Sequence, residues 1–165
     1  MIVTLTPNPS IDRAITIPAL DRGQVIRATS SRIDAGGKGV NVSRAIIAQG
    51  GESLAVFPSG GPEWHLMADL LSDASVPSST VPVEGSLRMN ISVLEPDGTT
   101  TKLNEPGPTL TPADVDALLD ATVDAASEGG WVVGCGSLPP GAPTELHAVL
   151  VGRARQRDSR QAIDP

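Results

Sequence analysis

The chain has 165 residues, of which 39% are apolar and 19% charged, a balance typical of one globular domain with a buried core. The net charge of −7 argues against nucleic acid and anionic membrane surfaces as general partners, and no apolar run approaches the ~20 residues of a membrane-spanning helix. The single cysteine, Cys135, excludes an intramolecular disulfide framework and favours the reducing cytoplasm, and its apolar neighbours predict an inert buried thiol.

A short β-type segment, residues 2–6, opens the chain and ends at Pro7-Asn8-Pro9. Proline cannot donate to a strand ladder, so the strand is expected to stop there. Residues just beyond the carboxyl end of a strand in a parallel sheet face the ligand crevice. Asp12 is therefore predicted to accept hydrogen bonds from a ligand's hydroxyl groups. The alternative is a turn aspartate that caps local N–H groups.

Four segments alternate apolar and polar residues, the pattern of half-buried strands. They are residues 14–18, 24–33, 87–94 and 99–103. Asp97-Gly98 lies between the last two, and Asp-Gly between β-rich runs is a strong hairpin signal. We expect these strands to form a small antiparallel sheet apart from the main α/β body, with its strands within residues 13–33 and 84–105.

A glycine-rich run, Gly36-Gly37-Lys38-Gly39-Val40-Asn41, precedes a predicted helix. Glycine permits positive φ and lets a ligand approach the main chain. The first helical turn offers unpaired N–H groups and the positive end of the helix dipole to polar or anionic atoms. The run matches neither the Walker A loop nor the Rossmann fingerprint. A glycine-rich turn with a surface lysine is the alternative.

The other segments alternate between helix and strand patterns. Helices are predicted over residues 40–49, 62–72, from 112 onward and over 143–157, and strands over 53–57, 131–135 and 161–163. The third helix carries four aspartates, Asp114, Asp116, Asp120 and Asp124. We expect them to be solvated charges and not metal ligands. His65 is expected to be a plain surface residue.

Two features concern the end of the chain. Ser137 follows the strand 131–135 and is either a turn serine or a ligand contact at the strand's carboxyl end. The last predicted strand stops at the terminus with its sheet neighbour unaccounted for. We therefore expect a chain cut in the middle of a fold.

The run from Ala35 to Val42 resembles the N-terminal signature of the ribokinase-like (PfkB-type) carbohydrate kinases, and most of all their phosphofructokinase, 1-phosphofructokinase and tagatose-6-phosphate kinase branch. Five further motifs agree in order and spacing: residues 4–12, 57–61, 88–90, 104–108 and 136–141. The resemblance covers residues 1–165. It implies a ribokinase-like α/β fold, here a partial doubly wound sheet, with the small antiparallel sheet as a lid over the sugar site and as a homodimer surface.

The resemblance also implies an activity, the ATP-dependent phosphorylation of a sugar phosphate of the fructose 1-phosphate or fructose 6-phosphate class, with ATP and Mg²⁺ required by the full-length family. The family's second signature, a Gly-Ala-Gly-Asp loop with the catalytic aspartate and the ATP pocket, is not found in this sequence. We therefore expect residues 1–165 to be the N-terminal portion of one kinase domain, carrying only the sugar-phosphate-binding half. The alternative is a non-catalytic sugar-phosphate-binding or dimerisation module.

Site residues follow from the resemblance, motif by motif. The sugar hydroxyls would be bound by Asp12, Gly36, Gly37 and Asn41. Lys38 and Arg88 would bind the phosphate already on the sugar, and Ser137 would complete the pocket. A cation at position 38 favours a sugar phosphate over a neutral sugar. Further candidates are Arg27 from a dimer partner, Lys102 and Glu105.

Overall fold

Nine strands and four helices are formed within residues 1–164, the part of the chain that the computed structural model describes. The strands are β1 (Ile2–Leu5), β2 (Ser10–Thr16), β3 (Ser30–Gly36), β4 (Ser53–Ser59), β5 (Ser78–Pro82), β6 (Arg88–Leu94), β7 (Thr100–Asn104), β8 (Trp131–Cys135) and β9 (Arg160–Asp164). The helices are α1 (Lys38–Ala48), α2 (Glu63–Asp73), α3 (Pro112–Ala125) and α4 (Leu146–Gln156).

Five parallel strands form the main sheet, in the order β5-β4-β1-β8-β9. Helices cover both of its faces, and successive residues of β1 show how. Val3 and Leu5 are fully buried in one cluster with side chains of α3 and α4. Thr4 points the other way, where its Oγ1 lies 2.8 Å from Oγ of Ser43 in α1. Because both faces are covered, the central strand carries no exposed polar side, as is usual for parallel sheets.

A second sheet, called here the small sheet, has the order β3-β2-β6-β7. Its two hairpins are antiparallel, but its central pair, β2 with β6, is parallel. The sheet is therefore mixed, and the expectation of a wholly antiparallel sheet is wrong for that pair. Turn chemistry and alternation indicate pairing within each hairpin. They carry no information on how strands almost 80 residues apart are joined.

The strand limits of the small sheet also differ from the prediction. β2 begins at Ser10 and β3 ends at Gly36, so both strands reach beyond residues 13–33. Residues 24–29, expected in a strand, belong instead to a mostly exposed loop between β2 and β3. Apolar and polar residues alternate in this loop, but Val25 is 86% exposed because nothing packs against it.

The remaining predicted helices and strands are confirmed, with small shifts at their ends. α4 starts at Leu146, three residues later than predicted, because its amide first closes a turn on the carbonyl of Pro143. β5 was not predicted, since its sequence Ser-Ser-Thr-Val-Pro is polar, and its place at the sheet edge leaves it partly exposed. No helix within residues 1–164 is long and apolar enough to cross a bilayer.

The aspartates of α3 have partners that the sequence did not predict. Asp114 completes a capping box with Thr111 at the start of the helix. Asp116 and Asp120 pair with the guanidinium of Arg153 in α4, the latter at 2.7 Å, and Asp124 pairs with Arg157 at 2.7 Å. The last three are therefore solvated, as expected, and each also pairs with an arginine in α4 or at its C-cap. His65 is exposed, as predicted.

Candidate ligand-binding site

A groove of about 490 Å³ lies between one face of the small sheet and the start of α1. This site groove is lined mainly by polar side chains, among them Asp12, Asn41, Arg44, Asn90, Lys102 and Asn104. The strand register explains the polar lining. Asp12 of β2 pairs with Asn90 of β6, which in turn pairs with Asn104 of β7. Side chains at paired positions share one face of a sheet, so these three form a polar row.

The carboxylate of Asp12 is held in place from two sides. Its Oδ1 accepts hydrogen bonds from Oγ of Ser10 at 2.7 Å and from Nδ2 of Asn90 at 3.1 Å. A Cβ added at Gly36 would overlap the same carboxylate. A glycine at position 36 therefore lets Asp12 lie against the main chain, and the predicted contact of Gly36 with the ligand stays a prediction.

Arg88, the first residue of β6, lies where the small sheet meets the main sheet. Its Nη2 donates to the carbonyl oxygen of Asn8 at 3.0 Å and to Oγ of Ser137 at 3.4 Å. Its Nε is buried and makes no hydrogen bond within residues 1–164. Burial lowers the pKa of Arg88 and the negative charge of Asp12 opposes that shift. An arginine stays protonated in proteins, so a partly desolvated cation lies next to the site carboxylate.

Two glycines allow the first turn of α1 to lie close to Thr6, the residue that follows β1. Gly37 is the N-cap, with φ of 115°, and a Cβ there would come within 2.7 Å of Cγ2 of Thr6. A Cβ at Gly39 would lie 2.5 Å from Oγ1 of the same threonine. That oxygen accepts a hydrogen bond from the amide of Val40 at 3.0 Å, so one of the free N–H groups of the helix start has a protein partner.

Lys38 lies next to the loop that carries Ser137. Its Nζ is 3.5 Å from Oδ1 of Asp164, and both side chains are largely exposed. A Cβ added at Gly136 would be 3.5 Å from Cβ of Lys38, so this lysine packs on the residue that precedes Ser137. Arg88 and Lys38 thus contact neighbouring residues of one loop at the carboxyl end of β8.

The other predicted residues separate into those that line the groove and those that do not. Asn41 lines it, and its Oδ1 accepts a hydrogen bond of 3.4 Å from Arg44. Lys102 lines it as well. Glu105 instead accepts from the amide of Met89 at 2.8 Å and so holds β7 to β6. Arg27 lies outside the groove, in the exposed loop between β2 and β3.

Four groove or groove-side residues were not predicted from the sequence, namely Asn8, Ser10, Asn90 and Arg44. Ser10 contacts Asp12 because the two lie two positions apart on one face of β2, and Asn90 contacts Asp12 because the two are paired in the parallel register of β2 and β6. The alternation of Ser10 with Asp12 and of Arg88 with Asn90 was visible as period-two spacing. Only the parallel pairing, which has no local signal, puts the two sets together.

The geometry favours a polyhydroxylated anion. Carboxylate and amide groups in a row bind hydroxyl groups, and a guanidinium binds phosphate with parallel hydrogen bonds. Within residues 1–164, no group of three or more His, Cys, Asp or Glu side chains could hold a metal ion. Cys135 is buried, as predicted, and burial raises the pKa of its thiol, which lowers its reactivity.

Comparison with known sequences gives this geometry a family context. Residues 6–165 match the family described as pfkB family carbohydrate kinase. The ATP-dependent 6-phosphofructokinase isozyme 2 of Mycobacterium tuberculosis (strain H37Rv) is 35% identical over 166 residues, which covers 99% of this chain and 48% of the relative. The 1-phosphofructokinase of Rhodobacter capsulatus is 36% identical over 166 residues, which covers 99% of this chain and 52% of the relative.

Solved structures agree. The crystal structure of phosphofructokinase-2 from Escherichia coli in complex with fructose-6-phosphate superposes with a TM-score of 0.91 at 34% identity, over 99% of this chain and 54% of that one. The predicted ribokinase-like fold is therefore confirmed. This chain spans about half the length of the relatives it matches.

Proposed function

The chain belongs to the pfkB family of carbohydrate kinases, as its motifs predict, and we propose that it carries the sugar-phosphate-binding part of a cytoplasmic, phosphofructokinase-type kinase. The proposed ligand is a fructose phosphate, either fructose 1-phosphate or fructose 6-phosphate. Relatives named for both activities match it at similar identity, 35% and 36%.

The single observation that carries this proposal is the placement of Arg88. It is a partly buried cation whose Nε has no hydrogen-bond partner within residues 1–164, and it lies beside Asp12 and Ser137. A ligand phosphate beside this guanidinium would pair with its positive charge, and a charge-assisted contact of this kind contributes about 1.5–3 kcal/mol. In the proposal, Ser137 donates to the same phosphate and Lys38 adds a second positive charge.

The sugar ring is assigned to the polar row of the site groove. Asp12, already oriented by Ser10 and Asn90, would accept from two sugar hydroxyls, and Asn41 would contact the ring from the α1 side. Gly36 and Gly37 contribute by leaving room for Asp12 and Thr6. Hydroxyl groups are thereby held in a fixed orientation, which is what an acceptor site for phosphoryl transfer has to provide.

ATP is proposed as the phosphoryl donor, since the Mycobacterium relative is named ATP-dependent. Within residues 1–164, no group of three or more His, Cys, Asp or Glu side chains could hold a metal ion by itself. The role of these residues in the proposal is to bind and orient the acceptor. The nucleotide site and the base that orients the attacking hydroxyl are assigned to regions of the longer relatives that this chain does not match.

Titration calorimetry of the chain with fructose 6-phosphate, fructose 1-phosphate and fructose tests the proposal. We expect at least one of the phosphates to bind at one site per chain, and fructose to bind at least about tenfold more weakly, because it lacks the charge-assisted contact. Equal affinity for fructose and both phosphates, or no heat with any of them, would refute the proposal.

A second function, self-association through the small sheet, is favoured by the face opposite the groove. Ile91 pairs with Leu103 on that face, and Leu103 is 58% exposed. An apolar, exposed sheet face is a common homodimer surface. The proposal places Arg27 near the partner's groove. Sedimentation over a range of concentrations should give a dimer that Leu103→Asp dissociates and Val149→Asp, a matched change on α4, does not; a monomer throughout would refute it.

A further inference from the structure

Asn8 connects three parts of the molecule through its main chain and its side chain. It lies between two prolines in the link from β1 to β2 and is only 4% exposed. Its main-chain carbonyl accepts the 3.0 Å hydrogen bond from Nη2 of Arg88. Its side-chain Nδ2 donates to the carbonyl of Pro106 at 3.0 Å, in the segment that leads from β7 to α3. One residue therefore joins the main sheet, the small sheet and the exit from β7.

The contact with that exit segment is close. Gly107 has φ of 90°, and a Cβ added there would overlap Oδ1 of Asn8. The same oxygen is buried and makes no hydrogen bond within residues 1–164. Residue 107 must therefore be small for Asn8 to stay where it is, and Asn8 in turn fixes the path of the chain at Pro106.

The flanking prolines limit how Asn8 can rearrange. Pro9 disfavours helical backbone angles at Asn8, and Pro7 has a fixed φ of its own. The backbone restriction and the side-chain hydrogen bond to Pro106 together narrow the orientations open to the carbonyl of Asn8. That carbonyl is the nearer of the two acceptors that hold Nη2 of Arg88, at 3.0 Å against 3.4 Å for Ser137.

We propose that Asn8 is a positioning residue: by bonding Pro106 through its side chain and Arg88 through its carbonyl, it aims the guanidinium at the phosphate of the ligand. This inference rests on the proposed function in one respect, the assignment of the phosphate to Arg88. It predicts that removal of the Asn8 side chain weakens phosphate binding although that side chain does not touch the ligand.

The first test is calorimetry of fructose 6-phosphate and fructose 1-phosphate with the Asn8→Ala chain. Loss of one hydrogen bond and release of the Pro106 segment should weaken binding of whichever phosphate the unchanged chain binds by about tenfold. A side chain with a purely structural role would change the melting temperature and leave that dissociation constant unchanged, which would overturn the proposal.

Two glycines provide a matched pair of controls. Gly107 and Gly98 have nearly the same φ, 90° and 91°, but nothing lies within 4 Å of a Cβ added at Gly98. Gly107→Ala should therefore weaken phosphate binding and Gly98→Ala should not. Adding Asn8→Ala to Gly107→Ala should cost little further affinity, because both changes break the same contact. Fully additive losses would contradict the proposal.

A readout without ligand separates this inference from the proposed function. In the ¹⁵N-labelled chain, the Nε–H resonance of Arg88, identified by its loss in Arg88→Lys, should shift in Asn8→Ala and stay unchanged in Gly98→Ala. If neither fructose phosphate binds the unchanged chain, the proposed function fails and this resonance alone decides on Asn8. A folded Asn8→Ala chain with an unshifted Arg88 resonance would overturn the inference.

Discussion

Asn90 donates a 3.1 Å hydrogen bond from its Nδ2 to Oδ1 of Asp12, across the one parallel pairing of the small sheet. The two residues are 78 positions apart in sequence and directly opposite in register. The bond leaves the carboxylate with a fixed orientation and free acceptor positions towards the site groove. The pairing of the two hairpins thus orients the carboxylate of Asp12, which can accept hydrogen bonds from hydroxyl groups.

Gly36→Ala tests this orientation. The added methyl group would overlap the carboxylate of Asp12, and the side chain would have to rotate away from Asn90. We expect the affinity for fructose phosphates to fall by about tenfold, because the sugar would lose hydrogen bonds to one charged acceptor. Calorimetry measures this change, and an unaltered dissociation constant in a folded variant would show that Asp12 does not contact the sugar.

Gly152→Ala is the matched glycine change away from the groove. Gly152 lies inside α4, and nothing is within 4 Å of a Cβ added there. Alanine should raise the free energy of unfolding by about 0.5–1 kcal/mol, because glycine loses more backbone entropy in a helix. Urea denaturation measures the effect, and fructose phosphate affinity should stay as it was. A loss of stability would contradict the open surroundings of this residue.

Arg153→Ala tests the ion pairs between α3 and α4. Arg153 contacts both Asp116 and Asp120, but the two carboxylates are more than 60% exposed. We expect a loss of only about 0.2–1 kcal/mol in the free energy of unfolding, and a smaller loss in high salt, because exposed charges are screened. Denaturation at low and at high salt concentration measures both. A large loss that does not depend on salt would mean that packing of the arginine stem dominates.

His147 should make stability depend on pH. It lies in α4 with 8% of its surface exposed, and burial, followed by the positive charge of Lys38, lowers its pKa below the ordinary value of 6.5. As the pH falls through that value, the unfolded chain binds the proton first. The free energy of unfolding should therefore decrease from about pH 7 downward.

The two histidines of the chain supply the control for this prediction. His147→Gln should flatten the loss of stability between about pH 7 and pH 5, whereas His65→Gln, at an exposed position, should leave the slope as it is. Denaturation curves at several pH values provide the comparison. Equal slopes for the unchanged chain and His147→Gln would show that the histidine is protonated as easily in the folded state as in the unfolded one.

Local signals predicted most of the fold. The helix from Pro112 was readable because Thr111, Pro112 and Asp114 are the residues that a capped helix start requires, and the structure has the complete capping box. The hairpin at Asp97-Gly98 was readable from its turn residues. In contrast, β5 was missed because an edge strand of serine and threonine lacks a hydrophobic pattern.

The motifs predicted several residues that the structure brings close together, and their role in binding a ligand stays a prediction. The motifs placed Asp12, Arg88 and Ser137 in one site, and the structure brings Arg88 close to both of the others. The sequence could not show why glycine is needed at positions 36 and 107. A Cβ at Gly36 would overlap Asp12 and one at Gly107 would overlap Asn8, and both contacts depend on the tertiary structure. The ion pairs of α3 were missed for the same reason, since Arg153 is 37 residues from Asp116.

The measurement that tests the central claim most directly is calorimetry of fructose 6-phosphate and fructose 1-phosphate with the Arg88→Ala chain. Arg22→Ala, an exposed arginine in the loop between β2 and β3, is the control. Loss of the charge-assisted contact, about 1.5–3 kcal/mol, should weaken binding of the phosphate that the unchanged chain prefers by at least about tenfold, while Arg22→Ala binds like the unchanged chain. If Arg88→Ala binds both phosphates as tightly as the unchanged chain does, the phosphate does not lie on Arg88 and the account of this site is wrong.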